Sequence, residues 1–257
     1  MKNFKKQYPP QTGAYAVKVK NGRGWDTYST ARFQISVGQD YHEGEKFKAT
    51  MEWAKHRFDK VIICVNDTLQ RFNHVYNDNL SEDSAFIKSE SAGREWVERN
   101  IHFIRTLPHY EIHRWEEWRS RKDYQSEYNR IIQLYTSESS FREMLNLEVM
   151  AFWDRKRKTA GDKKLSNFDG FKKASTEYLL EETAAFFLMF KANKAVDIYP
   201  GSSLLPCVLA HKYGSWEDKN LFPENYFTRI DFARNEDRVN NSQIDRSDRD
   251  DSSARNR

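Results

Sequence analysis

Four side chains in this sequence have types and spacing suited to acyl transfer: Ser36, Tyr178, Glu182 and Tyr199. Ser36 lies in the run Phe33-Gln34-Ile35-Ser36-Val37-Gly38-Gln39-Asp40, which reads as a short strand ending in a Ser-x-Gly turn. An amphipathic run from Glu45 to Phe58 follows directly. A strand-to-helix turn exposes a hydroxyl, and a helix N-terminus beside it offers N–H groups and partial positive charge to an alkoxide or oxyanion. The same position also suits an N-cap or turn serine. The hydrolase elbow Gly-x-Ser-x-Gly is absent, because Gln34 stands where its first glycine would be.

Tyr178 and Glu182 are four apart on an expected helix, so they share a face. Phe186 puts that face inward, where a carboxylate is costly unless it binds a cation such as an α-ammonium group. A boundary tyrosine and a glutamate paired to a nearby base is the alternative. Tyr199-Pro200 closes an expected strand, where α/β folds gather active-site residues, though an ordinary turn also fits. Arg94, Arg99 and Arg105 lie near Trp96, and Arg114, Arg119, Arg121 and Lys122 surround Trp115 and Trp118. For these residues and for the basic run 155–158, phosphate contacts with aromatic stacking would fit RNA, and a solvated helix face would fit too.

The elements that must position these groups alternate. Strands are expected at 15–19, 31–37, 60–65, 111–115, 196–199 and 226–232. Helices are expected at 45–58, 82–107, 123–135, 140–152, 171–191 and 203–211. Ser140 is expected to cap its helix, and Arg155-Lys156-Arg157-Lys158 to form a basic loop after it. Strand, helix, strand over 31–65 is a βαβ unit, which puts Ser36 at the carboxyl end of a parallel strand. The expected class is α/β, a single Rossmann-like domain over 15–234 with a central, mostly parallel sheet flanked by helices. Residues 1–14 are expected as a mobile arm and 235–257 as a disordered polar tail.

Composition narrows the class further. The 257 residues are 38% hydrophobic and 31% charged, as in a globular chain with a sizeable core. The net charge of +4 is a mild bias that permits a polyanionic partner. The two cysteines, Cys64 and Cys207, do not make a disulfide scaffold and fit a cytoplasmic protein. No signal peptide, no membrane span, no Walker A loop, no metal-ligand spacing and no His-x-Gly-His or Lys-Met-Ser-Lys-Ser motif is present. The chain therefore has no visible means of activating an amino acid with ATP, and no cofactor or metal is expected.

Together the motifs resemble the tRNA-dependent cyclodipeptide synthases over roughly residues 30–232. The resemblance rests on Ile35-Ser36-Val37-Gly38 followed by Tyr41, on Tyr178-x-x-x-Glu182, and on Tyr199-Pro200 followed by Ser202-Ser203-Leu204. With Gln39 three residues after the serine and Pro200 after Tyr199, the chain is similar to the Tyr-Pro subfamily. Many members carry glycine two residues before the serine, where this chain has Gln34.

The resemblance implies a fold like that of class I aminoacyl-tRNA synthetase catalytic domains, and aminoacyl-tRNA partners. It implies Ser36 as nucleophile, Tyr178 and Glu182 as holders of the aminoacyl ammonium, and Tyr199 as a positioning or proton-relay group. Gln34, Gly38, Gln39, Tyr128 and Pro200 are implied at the substrate. The basic helix 82–107 takes the place of the family's tRNA-binding helix, with Arg94, Arg99, Arg105, Arg119 and Arg121 as expected contacts. The implied reaction is ping-pong. Ser36 takes the first aminoacyl group, a second aminoacyl-tRNA donates its α-amine to that ester to give a dipeptidyl-enzyme, and ring closure releases a diketopiperazine. The rival functions are a non-catalytic tRNA-binding module and a serine hydrolase.

Overall fold

The computed structural model describes residues 8–21, 25–160, 167–201, 204–214 and 227–235. Residues 22–24, 161–166, Ser202-Ser203, 215–226 and the tail beyond 235 lie outside these residues. Of the expected mobile arm, residues 8–14 are described, and they are tied to the sheet. The Gln11 side chain accepts from Val17 N–H at 2.7 Å and donates to Val17 C=O at 3.1 Å, as a strand neighbour would.

Six strands form one sheet: β1 (Tyr15–Asn21), β2 (Thr30–Ile35), β3 (Lys60–Val65), β4 (Tyr110–Arg114), β5 (Val196–Tyr199) and β6 (Phe227–Arg234). Their spatial order is β1-β6-β5-β2-β3-β4. All neighbours are parallel except β1 and β6, so the α/β architecture expected from the sequence is present with an antiparallel edge. β2 is flanked by β3 and β5, which puts its carboxyl end at the middle of the sheet.

The helices are α1 (Gly44–Lys55), α2 (Arg71–Asn77), α3 (Glu82–Ile104), α4 (Trp115–Arg119), α5 (Tyr124–Ser137), α6 (Ser139–Ala160), α7 (Phe168–Ala192) and α8 (Leu205–Tyr213). Strand alternation sorts the core into two layers. Phe33, Ile35, Val61, Ile63 and Val65 face α1 and α3. Ile62 and Cys64 face the layer built around α7, whose residues 179–190 are buried on every side. The same alternation sends Arg32 and Gln34 of β2 into the α7 layer, where both are fully buried.

Three expectations are corrected. First, α2 was not anticipated: its two Asn, a His and a β-branched Val are weak helix formers. Tertiary packing supplies the stability, with the Tyr76 ring edge-on to Phe171 of α7 at 5.4 Å. Second, Arg155–Lys158 is not a loop, because α6 continues through it. Buried Trp153 anchors that last stretch, and the Lys156 ammonium lies 4.4 Å from the centroid of the Tyr76 ring. Third, Ser140 lies inside α6 rather than at its cap, and its hydroxyl bonds the Tyr213 phenol at 2.6 Å.

Candidate active site

β2 ends at Ile35, so Ser36 is the first residue beyond the strand and continues the face of Arg32 and Gln34. A turn follows, closed by Gln39 N–H donating to Ser36 C=O, with Gly38 at φ +87, where a side chain would be strained. A short 3-10 helix (Asp40–His42) comes next, and α1 begins only at Gly44. The helix N-terminus expected directly after Ser36 is thus eight residues away in the chain.

The 3-10 helix returns two side chains to Ser36. His42 Nδ1 lies 3.0 Å from the Ser36 backbone nitrogen, whose N–H it accepts in the Nε2-protonated tautomer, and 3.3 Å from Ser36 C=O. Burial pushes the His42 imidazole down to about 4, which keeps it a neutral acceptor at physiological pH. The indole N–H of Trp96 in α3 holds His42 C=O at 3.0 Å. His42 therefore fixes the Ser36 backbone rather than taking the Oγ proton.

Tyr41 completes a row of hydroxyls. Its phenol bonds the Tyr199 phenol at 2.8 Å, and the Tyr199 phenol bonds Ser36 Oγ at 3.2 Å. Burial, reinforced by Tyr199, raises the Tyr41 phenol well above its ordinary value, so it stays protonated. Gly201 is what admits the Tyr199 ring: a Cβ at Gly201 would collide with ring carbons Cδ1 and Cε1.

α7 supplies the opposite wall. Ser175, Tyr178, Leu179 and Glu182 recur at helical spacing and line one cavity of about 550 Å³ with Ser36, Gln34, Gln39 and Tyr199. Gln70 donates to the Tyr178 phenol at 3.4 Å, and burial followed by the charge of Glu182 raises that phenol's pKa. Glu182 has no hydrogen-bond or ion-pair partner among the described residues. Burial, then the nearby Glu148 carboxylate, pushes it up to about 8.

Its neighbour Glu181 is the reverse case. Glu181 accepts from Arg71 at 2.8 Å and from the Trp115 indole at 2.8 Å, and lies 3.4 Å from Arg119 Nε. Adjacent glutamates on one helix thus differ in whether charge compensation is already in place. Of the two, only Glu182 lacks a compensating cation among the described residues.

Not every expected site residue converges. Pro200 is half-buried beside Tyr199, and Gly38 is exposed at the turn, and neither lines the cavity. Tyr128 is not among the residues lining the cavity: its ring stacks on Tyr124 at 5.9 Å, with the charges of Glu181 and Glu177 nearby.

The expected RNA face is also largely self-compensated. Arg94 pairs with Glu90, Arg99 with Glu43 at 3.0 Å, Arg119 with Glu116 at 2.8 Å, and Arg121 with Asp123 at 2.9 Å. Arg105 is exposed at the end of α3. Trp96, Trp115 and Trp118 are buried, with at most 4% of their surface accessible, so none can stack on a base. The basic residues that do reach the cavity are Arg155 and Lys156 of α6. The sequence already counts 155–158 among the basic residues that would fit RNA, and the structure carries them on α6 instead of a loop. No helix among the described residues is long and apolar enough to cross a membrane.

No protein-family model and no curated protein sequence matches the chain. Solved structures do. A cyclodipeptide synthase from Fluoribacter dumoffii superposes with TM-score 0.76 at 21% identity, covering 86% of this chain and 99% of that one. A cyclodipeptide synthase from Candidatus Glomeribacter gigasporarum bound to Phe-tRNAPhe gives TM-score 0.62 at 19% identity over 79% of this chain and 86% of that one. A Mycobacterium tuberculosis protein, described as demonstrating that cyclodipeptide synthetases are related to type I tRNA synthetases, gives 0.61 at 14% identity over 90% and 98%. The chain thus has the α/β, Rossmann-like fold of the solved cyclodipeptide synthases, with Ser36, Tyr178, Glu182 and Tyr199 on the walls of one cavity at the carboxyl end of its sheet.

Proposed function

We propose that this protein is a cyclodipeptide synthase of the Tyr-Pro subfamily, joining two aminoacyl groups delivered on tRNA through an aminoacyl-Ser36 intermediate. The observation that carries this reading is the meeting in one cavity of the Ser36 hydroxyl, the phenols of Tyr178 and Tyr199, and the uncompensated carboxyl of Glu182.

Ser36 Oγ attacks the ester carbonyl of the first aminoacyl-tRNA. The new acyl–oxygen bond replaces the bond to the ribose, and the hydroxyl proton passes to the departing ribose oxygen through its vicinal hydroxyl. No imidazole or carboxylate bonds Ser36 Oγ among the described residues, so the substrate itself is the natural proton acceptor. The Tyr41–Tyr199 pair donates toward Ser36 and steadies the developing charge. Tyr178 and Glu182 take the α-ammonium of the bound group.

Atom balance corrects the direction of the second step. An incoming amine attacking the Ser36 ester would leave the dipeptide on tRNA. A dipeptidyl-enzyme requires the amine of the Ser36-bound group to attack the second ester. The adjacent ammonium favours the ionised form of Glu182, and a carboxylate in contact with it is placed to accept its proton. The second tRNA leaves, and the terminal amine of the dipeptidyl group then attacks the Ser36 ester. The ring closes and the serine is freed. Both esters arrive activated, so positioning and charge stabilisation suffice without ATP.

Arg155 and Lys156 at the cavity, continued by exposed Arg157 and Lys158, provide a basic approach for the tRNA acceptor end. The test is expression in a bacterium with mass spectrometry of the medium. Diketopiperazines are expected with the native chain and absent with Ser36→Ala. Salt-sensitive tRNA binding with neither product nor adduct would instead identify a binding module.

A further inference from the structure

Below Ser36 lies a chain of polar groups that the reaction does not use. Arg32 and Asp197 form an ion pair at 3.0 Å with both side chains fully buried. Arg32 also donates to Met189 C=O at 3.0 Å and Asn193 C=O at 2.9 Å. A guanidinium does not lose its proton in a protein, so Asp197 is held as its counter-charge and acts only as an acceptor.

This charge fixes the orientation of two amides. Gln34 must turn its NH₂ toward Asp197, and Nε2 lies 3.0 Å from Asp197 Oδ1. Its carbonyl oxygen must then accept, and it receives Asn66 Nδ2 at 3.4 Å. Asn66 Oδ1 is left over: it is buried, with no hydrogen-bond partner, on a residue 3% exposed. The sequence therefore ends in an acceptor that nothing in the described chain satisfies. Such an atom is costly unless a ligand supplies a donor.

Its position says which ligand group. β2 and β3 are parallel with Ile35 opposite Val65, so Ser36 and Asn66 leave adjacent strand ends side by side. Both line the cavity, as does Gln34. Asn73 on the same wall gives its NH₂ to Gln70 Oε1 at 2.7 Å, which leaves a second amide carbonyl.

We infer that the first aminoacyl group carries a side chain ending in an N–H or O–H donor, whether hydroxyl, amide or cationic, and that Asn66 Oδ1, oriented through Gln34 by the Arg32–Asp197 pair, selects it. This deepens the proposed acyl transfer and rests on it. A hydrocarbon side chain would fill the space but leave the acceptor unpaired, a discrimination of about tenfold or more.

The test offers the purified full chain a mixture of aminoacyl-tRNAs covering the twenty amino acids. The reaction is quenched early, and the mass added to Ser36 is read on the intact protein. The expected adduct carries a donor side chain, at least about tenfold over hydrocarbon side chains of similar size. Asn66→Leu should erase or reverse that preference. Asn66→Asp, which keeps the shape, should move it toward cationic side chains. A native adduct bearing an aliphatic or aromatic hydrocarbon overturns the inference while leaving the acyl-transfer reading intact, and so does a uniform loss across all substrates in both variants. Absence of any adduct overturns the acyl-transfer reading itself, and the inference with it.

Discussion

The phenol oxygen of Tyr199 lies 3.2 Å from the hydroxyl of Ser36, across 163 residues of chain. A second phenol, Tyr41, bonds Tyr199 from behind at 2.8 Å. Among the described residues, Ser36 Oγ is therefore met by a row of hydroxyls and not by an imidazole or a carboxylate. Tyr199→Phe is expected to slow formation of the aminoacyl-Ser36 adduct by about 10- to 100-fold, with little change in melting temperature. Tyr41→Phe should cost less, because it acts through Tyr199. Single-turnover adduct formation read by intact mass checks both, and equal rates in all three proteins would remove the hydroxyl row from the chemistry.

Gly201 makes room for that phenol. Its hydrogen faces the Tyr199 ring where any Cβ would overlap carbons Cδ1 and Cε1. Gly201→Ala is expected to displace the ring, destabilise the fold by about 1–3 kcal/mol, and lower adduct formation to the level of Tyr199→Phe. Adding Tyr199→Phe to Gly201→Ala should then change the rate little, which distinguishes displacement from a general loss of structure.

Glu182 makes pH a probe. Its carboxyl sits at about 8 when folded against an ordinary 4.5, raised first by burial. Between those values the folded state holds more protons than the unfolded one, so stability is greatest below 4.5 and is lost as pH rises through 8. Glu182→Gln should flatten that decline and be the more stable protein above pH 8. Product formation runs the other way, rising with pH as the carboxylate form becomes available and levelling beyond 8. A melting series and a rate–pH profile on both proteins check it. A native profile that ignores this window would exclude Glu182 as the proton acceptor.

The buried Arg32–Asp197 pair should behave as a unit. Arg32→Met leaves Asp197 buried without its cation and is expected to cost about 3–5 kcal/mol by chemical denaturation. Arg32→Met with Asp197→Leu should recover much of that loss, since neither charge remains. If the double variant were no better than the single one, the pair would not be coupled as its geometry requires.

Local periods were enough to place Ser36 and the opposing wall. Alternation put Ser36 at the end of a parallel strand, and a spacing of four put Tyr178 and Glu182 on one helix face; both follow from backbone geometry that needs no partner. The family resemblance, carried by the same residues, pointed to the fold that the superpositions bear out.

Charge was where sequence reading was least complete. The arginines of α3 and α4 read as a phosphate-binding face, but part of their charge is paired, either along the same helix, as Glu90 with Arg94 and Glu116 with Arg119, or from another element, as Glu43 with Arg99. Tryptophans that read as stacking platforms proved to be core. Tyr128, implied at the substrate by the resemblance, lies on α5 near Glu181 and outside the cavity lining.

The sequence by itself thus determined which side chains are available and which face of its own strand or helix each occupies. Only the tertiary structure decided which of them are spent on one another. Among the described residues, Glu181 is compensated and Glu182 is not; His42 is consumed by the Ser36 backbone; Asn66 ends a polar chain with an acceptor to spare. The physical reason is that hydrogen-bond and charge satisfaction depend on which distant elements meet, and no local period encodes that.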